Sequence, residues 1–253
     1  WLFKNFNVID VQELVESNEK ILKNSSQLNK IKWTETLIGY LTVSLNNQKN
    51  VESKKLIKII TLNSEKLQSD YLDYLICDRF SKQQVKYFLD NLKSTFDIVS
   101  VRLLNYNNSI YRTRHKFQLG NIYSNLGQYD KGIKFFEEAY KDISEFDAPD
   151  LEENILGELL GEYITSSRFG LFKYYFPQYP PLAKSLGRYN KLLTLYERMS
   201  TNKDLVLSKD EILNFYNDYY LVLKKSIDKE TFGAHFLQLV GYFFGSNNFE
   251  KVN

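Results

Sequence analysis

Cysteine occurs once in the 253 residues, as Cys77. A single thiol excludes an intrachain disulfide, and with no partner at metal-ligand spacing it excludes a thiolate zinc site. Histidine occurs twice, as His115 and His235, too little for an imidazole metal cluster. Four prolines and 11 glycines are few breakers for this length, which argues against a turn-rich sandwich or barrel and for helices. Charge of one sign is also missing. The 33 basic and 31 acidic side chains leave a net +2, so direct nucleic-acid binding is not expected. The densest apolar stretch, Phe232 to Phe244, is interrupted by His235, Gln238 and two glycines, so no membrane span is expected. There is no Walker, Rossmann or kinase signature, and no catalytic residue, metal or cofactor is assigned. The chain opens on Trp1 without a signal-peptide pattern, which reads as a fragment or processed form of an intracellular protein.

What is present is helical periodicity. Asp10 with Glu13 is a capping-box pattern, followed by Val11, Leu14, Val15, Ile21 and Leu22 near helical spacing. Leu28 to Leu41 and Leu56 to Leu67 carry second and third runs. Ser81 is expected to cap a run with Val85, Phe88, Leu89, Leu92 and Phe96 on one stripe. Leu151 to Thr165 reads as one helix, Ser208 with Glu211 opens another through Leu223, and Thr231 to Phe244 is a third. These runs predict an all-α chain, with helical hairpins of unassigned type over 1–106 and a different organisation over 107–253.

That second part holds a motif. Tyr111 to Ile143 reads YRTRHKFQLGNIYSNLGQYDKGIKFFEEAYKDI. Leu119, Gly120 and Tyr123 sit at a Leu-Gly-x-x-Tyr spacing, Leu126 to Asp130 form a turn, and Phe136 and Ala139 lie on the helix that follows. The stretch resembles a tetratricopeptide repeat, a helix–turn–helix unit of about 34 residues. Gly120 would let two antiparallel helices approach, Gly127 would end the first helix in a left-handed conformation, and Ala139 would leave room for a neighbour. Lys116, Gly132 and Ser144 depart from the family pattern. Leu186 to Lys191 echoes the turn Leu126 to Lys131, and Asn248 to Lys251 echoes its end. The aromatics Tyr129, Tyr189 and Phe249 recur at intervals of 60, which is no multiple of 34. The resemblance therefore implies an irregular TPR-like helical-hairpin solenoid, an α-α superhelix with an aromatic, proline-rich insertion at about 169–181.

In such repeats the first helix of each unit lines a concave groove. Carried onto this sequence, the groove residues are Arg114, Phe117, Gln118, Asn121, Ser124 and Asn125. Asn121 falls where peptide-binding members place an Asn against the ligand backbone, and an amide that both donates and accepts suits a peptide bond. Arg114 would neutralise a carboxylate. The bland reading is that these are ordinary exposed polar side chains. In the insertion, Tyr175 and Phe176, with Tyr174 and Tyr179 beside them, are either an exposed docking anchor or a plug folded back into the stack. Glu152, Glu153, Glu158 and Glu162 read as a solvated helix face rather than an acid pair, and Cys77 as a buried small hydrophobe.

A non-catalytic scaffold or adaptor follows, a piece or subunit of a larger assembly that binds a partner protein or peptide. The alternative is a resemblance to the repeat domain of Gram-positive regulators that sense short peptides, with the DNA-binding head outside this chain. A third reading places a catalytic part outside it.

Overall fold

The computed structural model describes residues 11–46, 50–87, 90–202, 204–205 and 209–226. Among these residues all regular structure is helical. By contact the chain divides into two compact units, 1–118 and 119–253.

The first unit holds α1 (Val11–Asn24), α2 (Gln27–Asn46), α3 (Asn50–Leu67), α4 (Asp70–Tyr87), α5 (Asp90–Leu104) and the first turns of α6 (Ile110–Asn125). Helix α2 packs on α3 and α4, and α5 packs on α4 and α3. Hairpin α2–α3 thus meets hairpin α4–α5 helix for helix. Leu37 and Leu41 of α2, Leu56 and Ile60 of α3, Ile76 and Phe80 of α4, and Val99 and Leu103 of α5 are all buried. Burying each such side chain is worth about 1.5–3 kcal/mol. Cys77 is buried in the same core, and burial holds its thiol above the usual range. The ion pair of Arg102 with the fully buried Asp73 is bidentate, with both nitrogen–oxygen distances at 2.6 Å. Ser64 of α3 bridges the pair, donating to Asp73 and accepting from Arg102. The buried charge is therefore compensated, which is what makes it tolerable.

Ser81 does not start a helix. It lies inside α4, and its hydroxyl donates to the Asp78 carbonyl at 3.0 Å. Helix α4 instead begins at Asp70, where two acids in the first turn, Asp70 and Asp73, complement the positive end of the helix dipole. The positions Phe88 and Leu89 fall outside the described residues, as do Asp10, Ser208, the helix expected over Thr231 to Phe244 and the echo at Phe249.

The second unit continues α6 and adds α7 (Tyr129–Ile143), α8 (Pro149–Thr165), α9 (Phe169–Tyr175), a short 3-10 turn (Phe176–Gln178), α10 (Tyr179–Ser185), α11 (Tyr189–Thr201) and α12 (Lys209–Ser226). The proline-rich stretch is therefore helical. Its prolines occupy the first turns of the 3-10 segment and of α10, where a missing N–H costs no helical hydrogen bond.

One turn recurs in this unit. Gly127 has φ +72°, its N–H bonds the Ser124 carbonyl at 2.9 Å, and the Gln128 N–H bonds Tyr123 at 2.9 Å. This is the Schellman pattern that closes a helix. Gly187 repeats it with φ +68°, its N–H on Lys184 and the Arg188 N–H on Ala183. Ser167 repeats it a third time with φ +57°, its N–H on Ile164 and the Arg168 N–H on Tyr163. An aromatic residue opens the helix after each: Tyr129, Phe169 and Tyr189. The interval of 60 between Tyr129 and Tyr189 thus contains an extra turn at Ser167.

The helices here pack closely. A Cβ on Gly120 would stand 2.5 Å from the ring of the fully buried Phe136. A Cβ on Gly132 would collide with Ser124 Oγ and reach 3.1 Å from the Gly120 carbonyl oxygen. Only glycine fits at this position without displacing the Ser124 side chain. Three tyrosines tie helix to helix through carboxylates: Tyr163 to Glu137 and Tyr179 to Glu153, each at 2.7 Å, and Tyr196 to Asp218. Burial pushes all three phenols upward, so they remain donors.

Candidate partner-binding surface

The residues singled out on α6 divide between the units, with Arg114, Phe117 and Gln118 in the first and Asn121, Ser124 and Asn125 in the second. In the first unit Arg114 is exposed and lies beside Tyr74. Phe117 is half-buried. Gln118 is committed to its own fold, its amide donating to Asp78 Oδ1 at 2.6 Å. His115, between them, is buried with Ser100 Oγ 2.7 Å from its Nε2 and Phe96 edge-on to its ring. Burial lowers its pKa to about 4, so it is neutral at physiological pH.

In the second unit Asn125 is exposed, and Asn121 is half-buried with interactions of its own. Ser124 is the informative position. Its Oγ and Oε2 of Glu162 on α8 are buried within reach of each other, and neither meets a further hydrogen-bond partner. Burial raises the Glu162 carboxyl above the usual carboxylate range. The nearby Ser124 hydroxyl lowers it, Glu158 adds to the rise, and Arg198 of α11 opposes it. Beside these groups, α8 and α11 enclose a cleft of about 160 Å³, walled by Glu153, Gly157 and Glu158 on one side and Lys191, Thr194 and Arg198 on the other, with Tyr179 and Leu195 also lining it.

The carboxylates of α8 do not form one solvated face. Glu158 is exposed, but Glu153 is fully buried. It accepts from Tyr179 and, at 2.9 Å, from Lys191 Nζ. The tyrosine that hydrogen-bonds it and the lysine that neutralises it lie 26 and 38 residues downstream, so no local charge pattern reveals them. Glycines on α8 make the room: a Cβ on Gly157 would meet the Tyr179 ring and hydroxyl at 3.0–3.3 Å, and one on Gly161 would stand 2.7 Å from Arg198.

Tyr175 and Phe176 are half-buried among aromatics. Tyr175 stacks on Tyr163 and meets Tyr140 and Tyr174 edge-on, while Phe176 stacks on Phe172 and meets Tyr196 edge-on. Tyr179 is buried, whereas Tyr174 is 70% exposed, with Leu171 one turn earlier on the same helix also exposed. The sequence grouped these aromatics together. Their register separates them, and Tyr174 is the one that points outward.

Among the described residues no group of three or more histidine, cysteine or acidic side chains is placed to hold a metal ion. None of the described helices is long and apolar enough to cross a membrane. No family model matches the chain, and no curated protein matches it. Among solved structures, the crystal structure of BtubC (BKLC) from P. vanneervenii is similar at a TM-score of 0.48 and 11% identity, over 94% of this chain and 89% of that one.

Proposed function

We propose that the chain is a non-catalytic scaffold whose helical hairpins stack as a TPR-like solenoid and hold a protein or peptide partner. The observation that carries this reading is the buried couple of Ser124 Oγ and Glu162 Oε2, which interact with each other and meet no further partner among the described residues, beside a cleft of mixed charge. Buried polar groups are nearly always fully satisfied, and a peptide backbone offers the further N–H and C=O that such a couple can take. The helix-for-helix packing of α2–α3 on α4–α5 and the threefold recurrence of one closing turn support stacked repeats. Stacked repeats present long surfaces without a central catalytic pocket.

Affinity would come from apolar anchors such as Tyr174 and Leu171, with polar groups fixing orientation. The test is affinity capture with the whole chain, comparing wild type with Ser124→Ala, Glu162→Ala and the exposed control Lys141→Ala. A partner lost from the first two and kept by the third supports the assignment. A partner retained by all three removes the surface from consideration.

A further inference from the structure

The first unit carries a second surface, independent of the one above. Helices α1 and α3 bound a groove of about 690 Å³, within the size range of ligand-binding clefts, about 300–1,000 Å³. Leu22, Ile59 and the 44%-exposed Leu62 are among its apolar lining. Beneath them the helices are fixed by a satisfied polar knot. Asn63 Nδ2 donates to Asn18 Oδ1 at 2.8 Å and to Thr34 Oγ1 at 3.2 Å, and Trp33 Nε1 donates to Asn18 Oδ1 at 2.8 Å. The groove is thus held open from its floor, where Asn18 and Asn63 line it and make these hydrogen bonds.

Its charge is one-sided. Lys23 of α1 and Lys55, Lys58 and Lys66 of α3 line it against the single acid Glu19. All four lysines are exposed. None of their side chains pairs with a carboxylate among the described residues, in a chain whose overall charge is nearly balanced.

We propose that this groove binds an acidic amphipathic segment of a partner protein, its apolar side chains seated on Leu22, Ile59 and Leu62 and its carboxylates on the lysines. Lys55 to Lys66 spans about 16 Å of helix, enough to face about three turns of a helical ligand. The chemistry favours this occupant over single-stranded nucleic acid, whose sites combine a basic track with aromatic stacking platforms, because no aromatic side chain lines this groove. It also favours it over an anionic bilayer, which takes a protruding apolar face rather than a concave one.

The probe is a fluorescein-labelled 14-residue peptide with leucines at helical spacing flanked by glutamates, titrated with the full chain and followed by anisotropy. We expect saturable binding that weakens with salt, at least tenfold loss in Lys55→Glu/Lys58→Glu and in Leu62→Gln, and several-fold gain in Glu19→Gln. All four positions are exposed, and an unchanged thermal midpoint confirms that each variant folds. A lysine-for-glutamate version of the peptide should not bind. The proposal is overturned by no binding at millimolar peptide, or by binding indifferent to these substitutions. It is equally overturned if a single-stranded oligonucleotide or phosphatidylserine vesicles compete as well as the peptide. Binding seen only after deletion of residues 1–9 would assign the groove to the chain's own first residues and overturn it as well.

Discussion

Gly120→Ala separates close helix packing from helix propensity, because the two effects have opposite signs. Alanine in a helix interior is favoured over glycine by about 1 kcal/mol. Where space is open, the substitution should therefore stabilise. Gly39, inside α2 with nothing within 4 Å of its would-be Cβ, is that case, and Gly39→Ala should raise stability by about 0.5–1 kcal/mol. At Gly120 the same methyl would stand 2.5 Å from two ring carbons of Phe136, whereas relaxed carbon contacts lie at about 3.5–4.0 Å. Phe136 is fully buried, so its ring cannot move aside into solvent. Overpacking of this kind costs about 1–3 kcal/mol, so after the propensity gain Gly120→Ala should lose about 1 kcal/mol, up to about 2. The assay is urea unfolding followed by circular dichroism, with the midpoint shift read at unchanged m-value. Thermal melts should shift in opposite directions, by about 2–4 °C per kcal/mol for a chain of this size. If Gly120→Ala proves as stabilising as Gly39→Ala, α6 and α7 are not in the close contact described, and the hairpin packing is refuted.

Three further expectations follow from single residues. The pKa of His115 falls from 6.5 to about 4 on burial. Below pH 6.5 the unfolded chain takes up a proton that the folded chain refuses. Stability should therefore drop as pH falls from 6.5 toward 4, by about 3 kcal/mol at about 1.36 kcal/mol per unit; a His115→Gln variant with the same acid profile would contradict this. Glu162 has the opposite sign: its carboxyl is raised from 4.5 by burial, so stability is lost as pH rises above that value. Glu162→Gln should be more stable than wild type at pH 7 and indistinguishable at pH 4, and equal melting points at both would refute the assignment. Ser167 holds φ +57°, a conformation that costs a non-glycine residue about 1–2 kcal/mol. Ser167→Gly should stabilise and Gly187→Ala should destabilise by about 1 kcal/mol each, and melting points moving the other way would count against the shared turn geometry.

The helical character of the chain was legible because apolar residues at helical spacing require a helix to reach one face, as in α7, where Ile133, Phe136, Ala139 and Ile143 are the buried stripe. The turn at Gly127 was legible because glycine accepts positive φ without penalty. The turn at Ser167 was hidden for the same reason: the backbone makes the same hydrogen bonds, but no glycine marks it. Ser81 misled because a hydroxyl that caps a helix start can equally bond back to a carbonyl inside one. Tyr174, Tyr175, Phe176 and Tyr179 share composition yet differ in exposure, since the 3-10 turn at Phe176 resets the register and sequence alone does not place that turn. Glu153 and Glu162 were unreadable because their environment is made by Tyr179, Lys191, Ser124 and Arg198, residues from other helices.

Site-specific photocrosslinking tests the scaffold reading most directly. A benzophenone side chain is placed in turn at Asn125, Thr194 and Lys134, all exposed, and irradiated in living cells of the native host. We expect one protein to be captured from Asn125 and Thr194, which flank the Ser124–Glu162 couple and the cleft, and not from Lys134 on α7. Capture that is equal from all three positions, or absent from the first two, would contradict the claim that this face holds a partner.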